Sequence, residues 1–326
     1  MKVLVLAGGF HEELPFEEIR ALGVEVKERD GRVVVGETDE TEKLKRLGYS
    51  HLVFEYLGSF GMDEELPFNP DEYIQGKFAA RFKKLNFSGD REGKKEEILK
   101  ELNPSIEEVD LDEPDTTFYF LMRKDTIYAG KLIHRFEPAE FTKREPALKP
   151  FSRPVSLQPR EARCWVNLSG VEEGESLLDP FCGTGGILVE GALVGCEVYG
   201  SDSEGEMVSG SEINLDYYNL EGEVKRCKVQ KLSDRWNKKF DAVVTDPPYG
   251  RSAKVGGEEK RKLYKEALGE IAKVLKKGRK CVIGAPERLD FGKIVQESNS
   301  RFKVSKRFKE KVHGDLVREV FVLKKV

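Results

Sequence analysis

One run of eight residues constrains this chain of 326 more than any other: Asp179-Pro180-Phe181-Cys182-Gly183-Thr184-Gly185-Gly186. It follows a short apolar stretch, Ser176–Asp179, that reads as a buried strand, and it opens a helical pattern running through Leu193. Glycines at such a turn let the backbone adopt conformations closed to other residues and let a ligand approach it. The first amides of the helix then face that ligand. The rhythm continues downstream. Strands are expected at Glu197–Ser201, Val224–Cys227, Ala242–Thr245 and Lys280–Ala285, with helices at Glu204–Tyr218 and Glu258–Lys277. A strand pair near Phe302–Phe308 and Leu316–Leu323 closes the chain. This alternation predicts an α/β, mostly parallel, doubly wound Rossmann-like sheet.

Asp202, followed by Ser203, ends the strand after the turn, where a carboxylate can accept bonds from both hydroxyls of a ribose. The dinucleotide fingerprint GxGxxG is not met, because Leu188 stands where its last glycine belongs. Alone, the turn fits a nucleoside-bearing cofactor or no ligand at all. Asp246-Pro247-Pro248-Tyr249, directly after strand Ala242–Thr245, narrows the choice. Two prolines hold the loop extended and remove two backbone donors. Asp246 and the Pro247 carbonyl can then take the two N–H bonds of an exocyclic amine, while Tyr249 stacks on the base that carries it. An aryl amine attacks poorly because its lone pair is delocalised into the ring. Accepting both N–H bonds favours a pyramidal nitrogen whose lone pair points at a methyl donor. Neither a metal nor a covalent nucleophile is required.

The first half reads differently. Strands are expected at Val3–Leu6, Val33–Val35 and Leu52–Leu57, a helix at Glu40–Leu47, and a break where Gly, Pro and Asn cluster from Gly61 to Pro70. A strand at Lys77–Phe82, a helix at Lys94–Leu102 and strands at Thr117–Met122 and Thr126–Leu132 suit a small α+β unit. Pro138, Pro146, Pro150, Pro154 and Pro159 mark a linker. The expected division is residues 1–62, 63–137, a linker at 138–160, and a catalytic domain at 161–326.

The net charge of −4 hides two halves of opposite sign, −9 over residues 1–150 and +5 over 151–326. The total therefore does not speak against a nucleic-acid partner. Five scattered cysteines with no CxxC argue against a disulfide framework and a zinc site. The opening Met1–Ala7 is too short for a signal-peptide core, and no apolar run approaches the ~18 residues of a membrane helix. A cytoplasmic monomer with no membrane or metal partner is expected.

DPFCGTGG, the strand-terminal Asp202 and DPPYGR together resemble the class I S-adenosylmethionine-dependent amino-methyltransferases. The resemblance implies that Asp179 to Gly186, with Asp202 and Ser203, bind S-adenosyl-L-methionine. It makes Asp246, Pro247, Pro248 and Tyr249 the catalytic tetrapeptide. Upstream, Arg135-Phe136, Arg144-Glu145-Pro146, Lys149-Pro150-Phe151 and the stretch from Pro154 to Leu168 resemble the linker and leading helix of archaeal THUMP-domain tRNA guanine-N2 methyltransferases, which act at position 10. That implies a ferredoxin-like domain over 1–62, a THUMP-like RNA-binding domain over 63–137, tRNA as partner, and a mono- or dimethylated product. Arg153, Gln158 and Gln230 depart from the family's usual His, Asp and acidic residue, and Asp234 is the nearest carboxylate to the last.

Lys77, Arg81, Lys83 and Lys84 form a small basic cluster in the acidic half, and Arg251 adjoins the tetrapeptide; these are the candidate RNA contacts. A second interleaving of basic and aromatic residues runs from Arg301 to Lys311. Two other readings stay open on the sequence. One is an amino-methyltransferase acting on rRNA or DNA, the other a catalytically silent RNA-binding protein that retains the fold.

Overall fold

The computed structural model describes residues 1–9, 11–102, 109–153, 156–249, 257–298, 301–313 and 316–326. Its first elements are β1 (Lys2–Ala7), α1 (Leu14–Ala21), β2 (Glu25–Asp30), β3 (Val33–Glu37) and β4 (Ser50–Phe60). Next come β5 (Phe78–Phe87), α2 (Arg91–Leu102), β6 (Thr116–Lys124), β7 (Thr126–Arg135), α3 (Pro138–Thr142) and α4 (Pro159–Ser169). The chain continues through β8 (Ser176–Asp179), α5 (Gly186–Ala192), β9 (Glu197–Asp202), α6 (Gly205–Tyr217), β10 (Glu223–Arg226) and α7 (Leu232–Arg235). It ends with β11 (Phe240–Thr245), α8 (Gly257–Val274), β12 (Leu275–Pro286), α9 (Phe291–Glu297), β13 (Phe302–His313) and β14 (Leu316–Lys325).

Two compact units result. Residues 1–9, 23–45 and 50–136 form the first, and residues 10–22, 46–49 and 137–326 the second.

In the first unit β1–β7 build one sheet, ordered β2-β3-β1-β4-β7-β6-β5. The division expected at residue 62 does not separate two compact bodies. Strand β4, before it, pairs with β7, beyond it, from Leu52↔Arg135 to Phe60↔Ile127. Side chains alternate between faces, so Phe118, Phe120 and Met122 of β6 pack with Ile98 and Leu102 of α2. Tyr119 and Leu121 join Leu4, Leu6 and Phe54 on the opposite face. Strand β2, Glu-Val-Lys-Glu-Arg-Asp, lies at the sheet edge with no buried residue, so it carries no apolar alternation to read. The helix expected at Glu40–Leu47 is a 3-10 turn over Thr41–Arg46.

The second unit has the expected α/β sheet, ordered β10-β9-β8-β11-β12-β14-β13. Strands β8 to β12 are parallel, and β14 runs antiparallel to both β12 and β13. The strand order reverses between β8 and β11, and ligands bind beyond the carboxyl ends of strands at such a switch point. Helix α8 stops at Val274 rather than Lys277, because Leu275 already pairs with Phe240 of β11; Gly278, at φ +79°, turns the chain inside β12.

The proline-rich segment is not a free linker; it belongs to the second unit. Pro138 and Pro159 each sit at a helix start, where a missing N–H costs nothing, and so they begin α3 and α4. Asn214 of α6 holds Phe151 from both sides, donating to its carbonyl at 2.7 Å and accepting from its amide at 3.1 Å. Gly210, one turn earlier, leaves space for the Phe151 ring, which a Cβ would meet at 2.1 Å.

Helix α1 joins this unit through Glu18. Its fully buried carboxylate accepts from the amides of Gly48 (2.8 Å) and Tyr49 (2.9 Å) and from Asn167 Nδ2 of α4 (2.8 Å). Burial nonetheless raises its pKa.

Candidate active site

Three strands of the second unit end in carboxylates at one edge of the sheet. Asp179 and Asp202 are the last residues of β8 and β9, and Asp246 follows the last residue of β11. Between them lies a cleft of about 1230 Å³.

The Gly-rich loop forms one wall. Gly183 (φ +51°) and Gly185 (φ +76°) both adopt left-handed backbone, which accounts for glycine at these positions. The loop is tied to its neighbours by Cys182 N donating to Ser201 O (3.0 Å) and by Ser211 Oγ donating to Gly183 O (2.8 Å). At its base the buried Asp179 accepts from Thr245 Oγ1 (2.7 Å) and the Phe181 amide (3.1 Å), linking β8 to β11. Burial outweighs those bonds and pushes the Asp179 carboxyl up to about 7.

Asp202 accepts from Gly183 N at 3.1 Å through one oxygen and from Glu204 N at 3.0 Å through the other. Each carboxylate oxygen keeps a lone pair for a ligand hydroxyl. Ser203 and Met207 also line the cleft, while Cys182 is a buried loop residue with its thiol held well above its ordinary pKa by desolvation. The arrangement fits a nucleoside-bearing cofactor: a strand-end carboxylate, a loop with glycine at its left-handed turns, and room for a molecule of that size.

The Asp246–Tyr249 loop forms the opposite wall. Asp246 Oδ1 accepts from the Tyr249 hydroxyl, and Oδ2 faces Arg318 Nη1 at 3.3 Å. Burial raises the Asp246 pKa, opposed by the guanidinium and the tyrosine hydroxyl. Pro247 is buried and Pro248 exposed.

Four residues around this loop carried no local motif. Arg318 of β14, Trp165 and Glu161 of α4, and Gly284 of β12 surround Asp246. A Cβ at Gly284 would fall 2.2 Å from Asp246 Oδ1, 2.7 Å from Trp165 and 2.8 Å from the Tyr249 hydroxyl. The legible signal for Arg318 was its own strand: Arg318-Glu319 interrupts an otherwise apolar run that lies between β12 and β13.

The positions that depart from the resembled pattern are engaged elsewhere. Arg153 pairs with Glu206, Gln158 stands at the N-cap of α4 with its backbone N–H donating to Glu161 Oε2 (3.3 Å), and Gln230 donates to Glu266 (2.8 Å). Arg153 and Gln230 line the cleft; Asp234 does not.

The basic cluster lies in the first unit, with Lys77 just before β5 and the rest on it. Strand alternation splits the latter, with Arg81 and Lys83 on one face and Lys84 on the other. Lys77 pairs with Asp110 (2.9 Å) and Arg81 donates to the Leu111 carbonyl (2.7 Å), whereas Lys83 and Lys84 are exposed. Arg251 lies outside the described residues. Among the described residues, no helix is long and apolar enough to cross a membrane, and no three His, Cys, Asp or Glu side chains are grouped to hold a metal.

Comparison with known proteins gives a consistent set of likenesses. The family model described as "RMKL-like, methyltransferase domain" matches residues 146–319. The chain is 35% identical to the tRNA (guanine(10)-N2)-dimethyltransferase of Methanothermobacter thermautotrophicus over 100% of both chains. It is 35% identical to the enzyme of the same name from Pyrococcus abyssi over 97% of each. Among solved structures, TrmN from Thermus thermophilus shares the fold over 100% of both chains, with a TM-score of 0.54 at 20% identity.

Proposed function

We propose, for a chain that belongs to the family of tRNA (guanine(10)-N2)-dimethyltransferases, that it methylates the exocyclic N2 of a guanosine in tRNA, at position 10, first once and then a second time. The observation that carries the reading is the facing of two walls across one cleft. The Gly183–Gly186 loop with Asp202 stands on one side, and Asp246 to Tyr249 stands on the other.

S-adenosyl-L-methionine, the cofactor of this reading, supplies an electrophilic methyl group. Asp202 would hold its ribose hydroxyls and the glycine loop would lie against it. Asp246 accepts one N–H of the guanine amine and the Pro247 carbonyl the other, which returns the nitrogen lone pair from the ring to the reacting direction. Asp246 must be ionised to do this, because a protonated carboxyl would present a donor to a donor. Its contact with Arg318 favours that state. The Tyr249 hydroxyl, bonded to Asp246, keeps the aromatic ring beside the acceptor, where it can stack on a flipped base. The substituted amine retains one N–H for the second transfer.

The stretches 1–62 and 63–137, most of which lie in the first unit, carry the ferredoxin-like and THUMP-like roles of this reading. Lys83 and Lys84 are the phosphate contacts we assign to it. Labelled S-adenosylmethionine with an unmodified tRNA transcript, followed by nucleoside mapping, tests the function. N2-methyl- and N2,N2-dimethylguanosine at position 10 are expected. Label in an adenosine or cytidine, or at another guanosine only, would overturn it.

A further inference from the structure

Arg318 faces three carboxylates near the cleft, and the reading above uses it only to favour ionised Asp246. It is 3% exposed on an interior strand, opposite Pro286 of β12 and Glu310 of β13 in register. Its Nε donates to Glu310 Oε2 at 3.1 Å, and Nη2 lies 3.0 Å from the same carboxylate. Nη2 also lies 3.1 Å from Glu161 Oε1, near the start of α4. The guanidinium plane sits over the Trp165 ring at 4.9 Å. The remaining nitrogen, Nη1, is the one that reaches Asp246 Oδ2.

A guanidinium gripped on a strand, on a helix and by an aromatic face has little freedom left. Asp246, by contrast, sits at the head of a loop. We propose that Arg318 is a positioning residue for methyl transfer: it fixes Oδ2 of Asp246 so that the other oxygen is presented to the amine. The inference rests on the assignment of Asp246 as the amine acceptor.

The charges that face Asp246 make the arrangement testable by pH. They are Arg318 and Glu310 on the β13–β14 pair, Glu161 on α4, Asp179 on β8, Tyr249 in its own loop and Tyr264 on α8. Arg318 is the cation in this set, so its removal must move the titration of Asp246 upward. Glu161 and Glu310 left uncompensated would raise it too, so Arg318→Met/Glu310→Gln, which removes one of those charges, separates positioning of Asp246 from mere neutralisation.

The test compares Arg318→Met, Arg318→Lys and Asp246→Asn in methyl transfer to a tRNA transcript, with cofactor binding followed by calorimetry. Arg318→Met is expected to lower kcat about 100-fold, with KM for tRNA and Kd for S-adenosylmethionine within about twofold of the parent. The acid limb of its kcat–pH profile should move to higher pH. Arg318→Lys should recover kcat to within about tenfold and bring the limb back, since it restores charge without the planar fork. If Arg318→Met does not fold, the double variant Arg318→Met/Glu310→Gln, which removes one uncompensated carboxylate, carries the same measurements. An unchanged kcat, an unmoved acid limb, or no rescue by lysine overturns the positioning role while Asp246→Asn is inactive. Full turnover by Asp246→Asn would instead overturn the acceptor assignment, and the inference with it.

Discussion

Asp110 of the first unit and four buried carboxylates of the second are treated in opposite ways, whereas Asp241, Glu270 and Glu287 of the second unit, each bonded to a lysine, are shifted down as Asp110 is. In the first, Asp110 lies at the surface, where the amides of Glu113 and Asp112 and the Lys77 ammonium hold its pKa down to about 2. In the second, Glu18, Asp179, Asp246 and Glu310 are taken into the interior, and burial raises all four. An exposed carboxylate keeps its water and gains from any donor nearby. A buried one gives up hydration worth several kcal/mol and persists only where fixed donors surround it. Asp110 therefore stays a solvated charge, while the four buried groups of the second unit become oriented acceptors. Its buried acceptors cluster at the carboxyl edge of the sheet and behind it.

The sharpest way to break this contrast is Asp246→Asn, which replaces an acceptor-only group by one that also donates. Methyl transfer should fall by about a thousandfold or more, with S-adenosylmethionine binding nearly unchanged by calorimetry. Next is Gly284→Ala. The new methyl group displaces Asp246, Tyr249 or Trp165 by an ångström or so, and kcat should drop about 10- to 100-fold with the far-ultraviolet circular dichroism retained. Third is Glu18→Gln, whose amide group must turn a donor toward a buried donor. About 1–3 kcal/mol of unfolding free energy should be lost in denaturant titration.

The pH dependence is a finer test. Asp179 and Glu310 titrate near 7 in the folded chain, above the unfolded carboxylate value of about 4, so the folded state binds protons more tightly between those limits. Their contribution to stability is complete below about pH 4 and is lost as pH rises through about 7. Equilibrium unfolding should therefore show Glu310→Gln losing less stability than the parent between pH 5 and 8. The smallest effect is expected in the first unit. Asp110→Asn removes an exposed pair and should leave the melting temperature where it was.

The catalytic sheet was legible because its signals are local. A glycine turn between a strand and a helix must obey backbone sterics within a few residues, and Asp202 and Asp246 fall at strand ends by the same rhythm. The order β8, β9, β11 then brings them to one edge. Glu161 and Gly284 carry no sequence signal as site residues, and Arg318 only the polar interruption of its own strand, because what brings all three to Asp246 is the packing of β14 and β12 against α4. The proline segment misled for a related reason. Proline forbids a helix interior yet suits its first turn, and only the docking of Phe151 into the gap at Gly210 shows which applies. Residues on either side of 62 share one sheet through the pairing of β4 with β7, which no local punctuation encodes.

The anchoring of Glu18 bears on how this chain must be made. Helix α1 is the first helix to leave the ribosome, but Asn167, the partner of its Glu18, lies 149 residues later. Until that partner is synthesised, α1 carries a carboxylate and an apolar face, Leu14, Phe16 and Ile19, whose destination does not yet exist. The catalytic unit is therefore closed late, by its earliest segment. A fragment begun at residue 137 would contain the glycine-rich turn, Asp202 and the Asp246–Tyr249 tetrapeptide and still lack the wedge that completes its core.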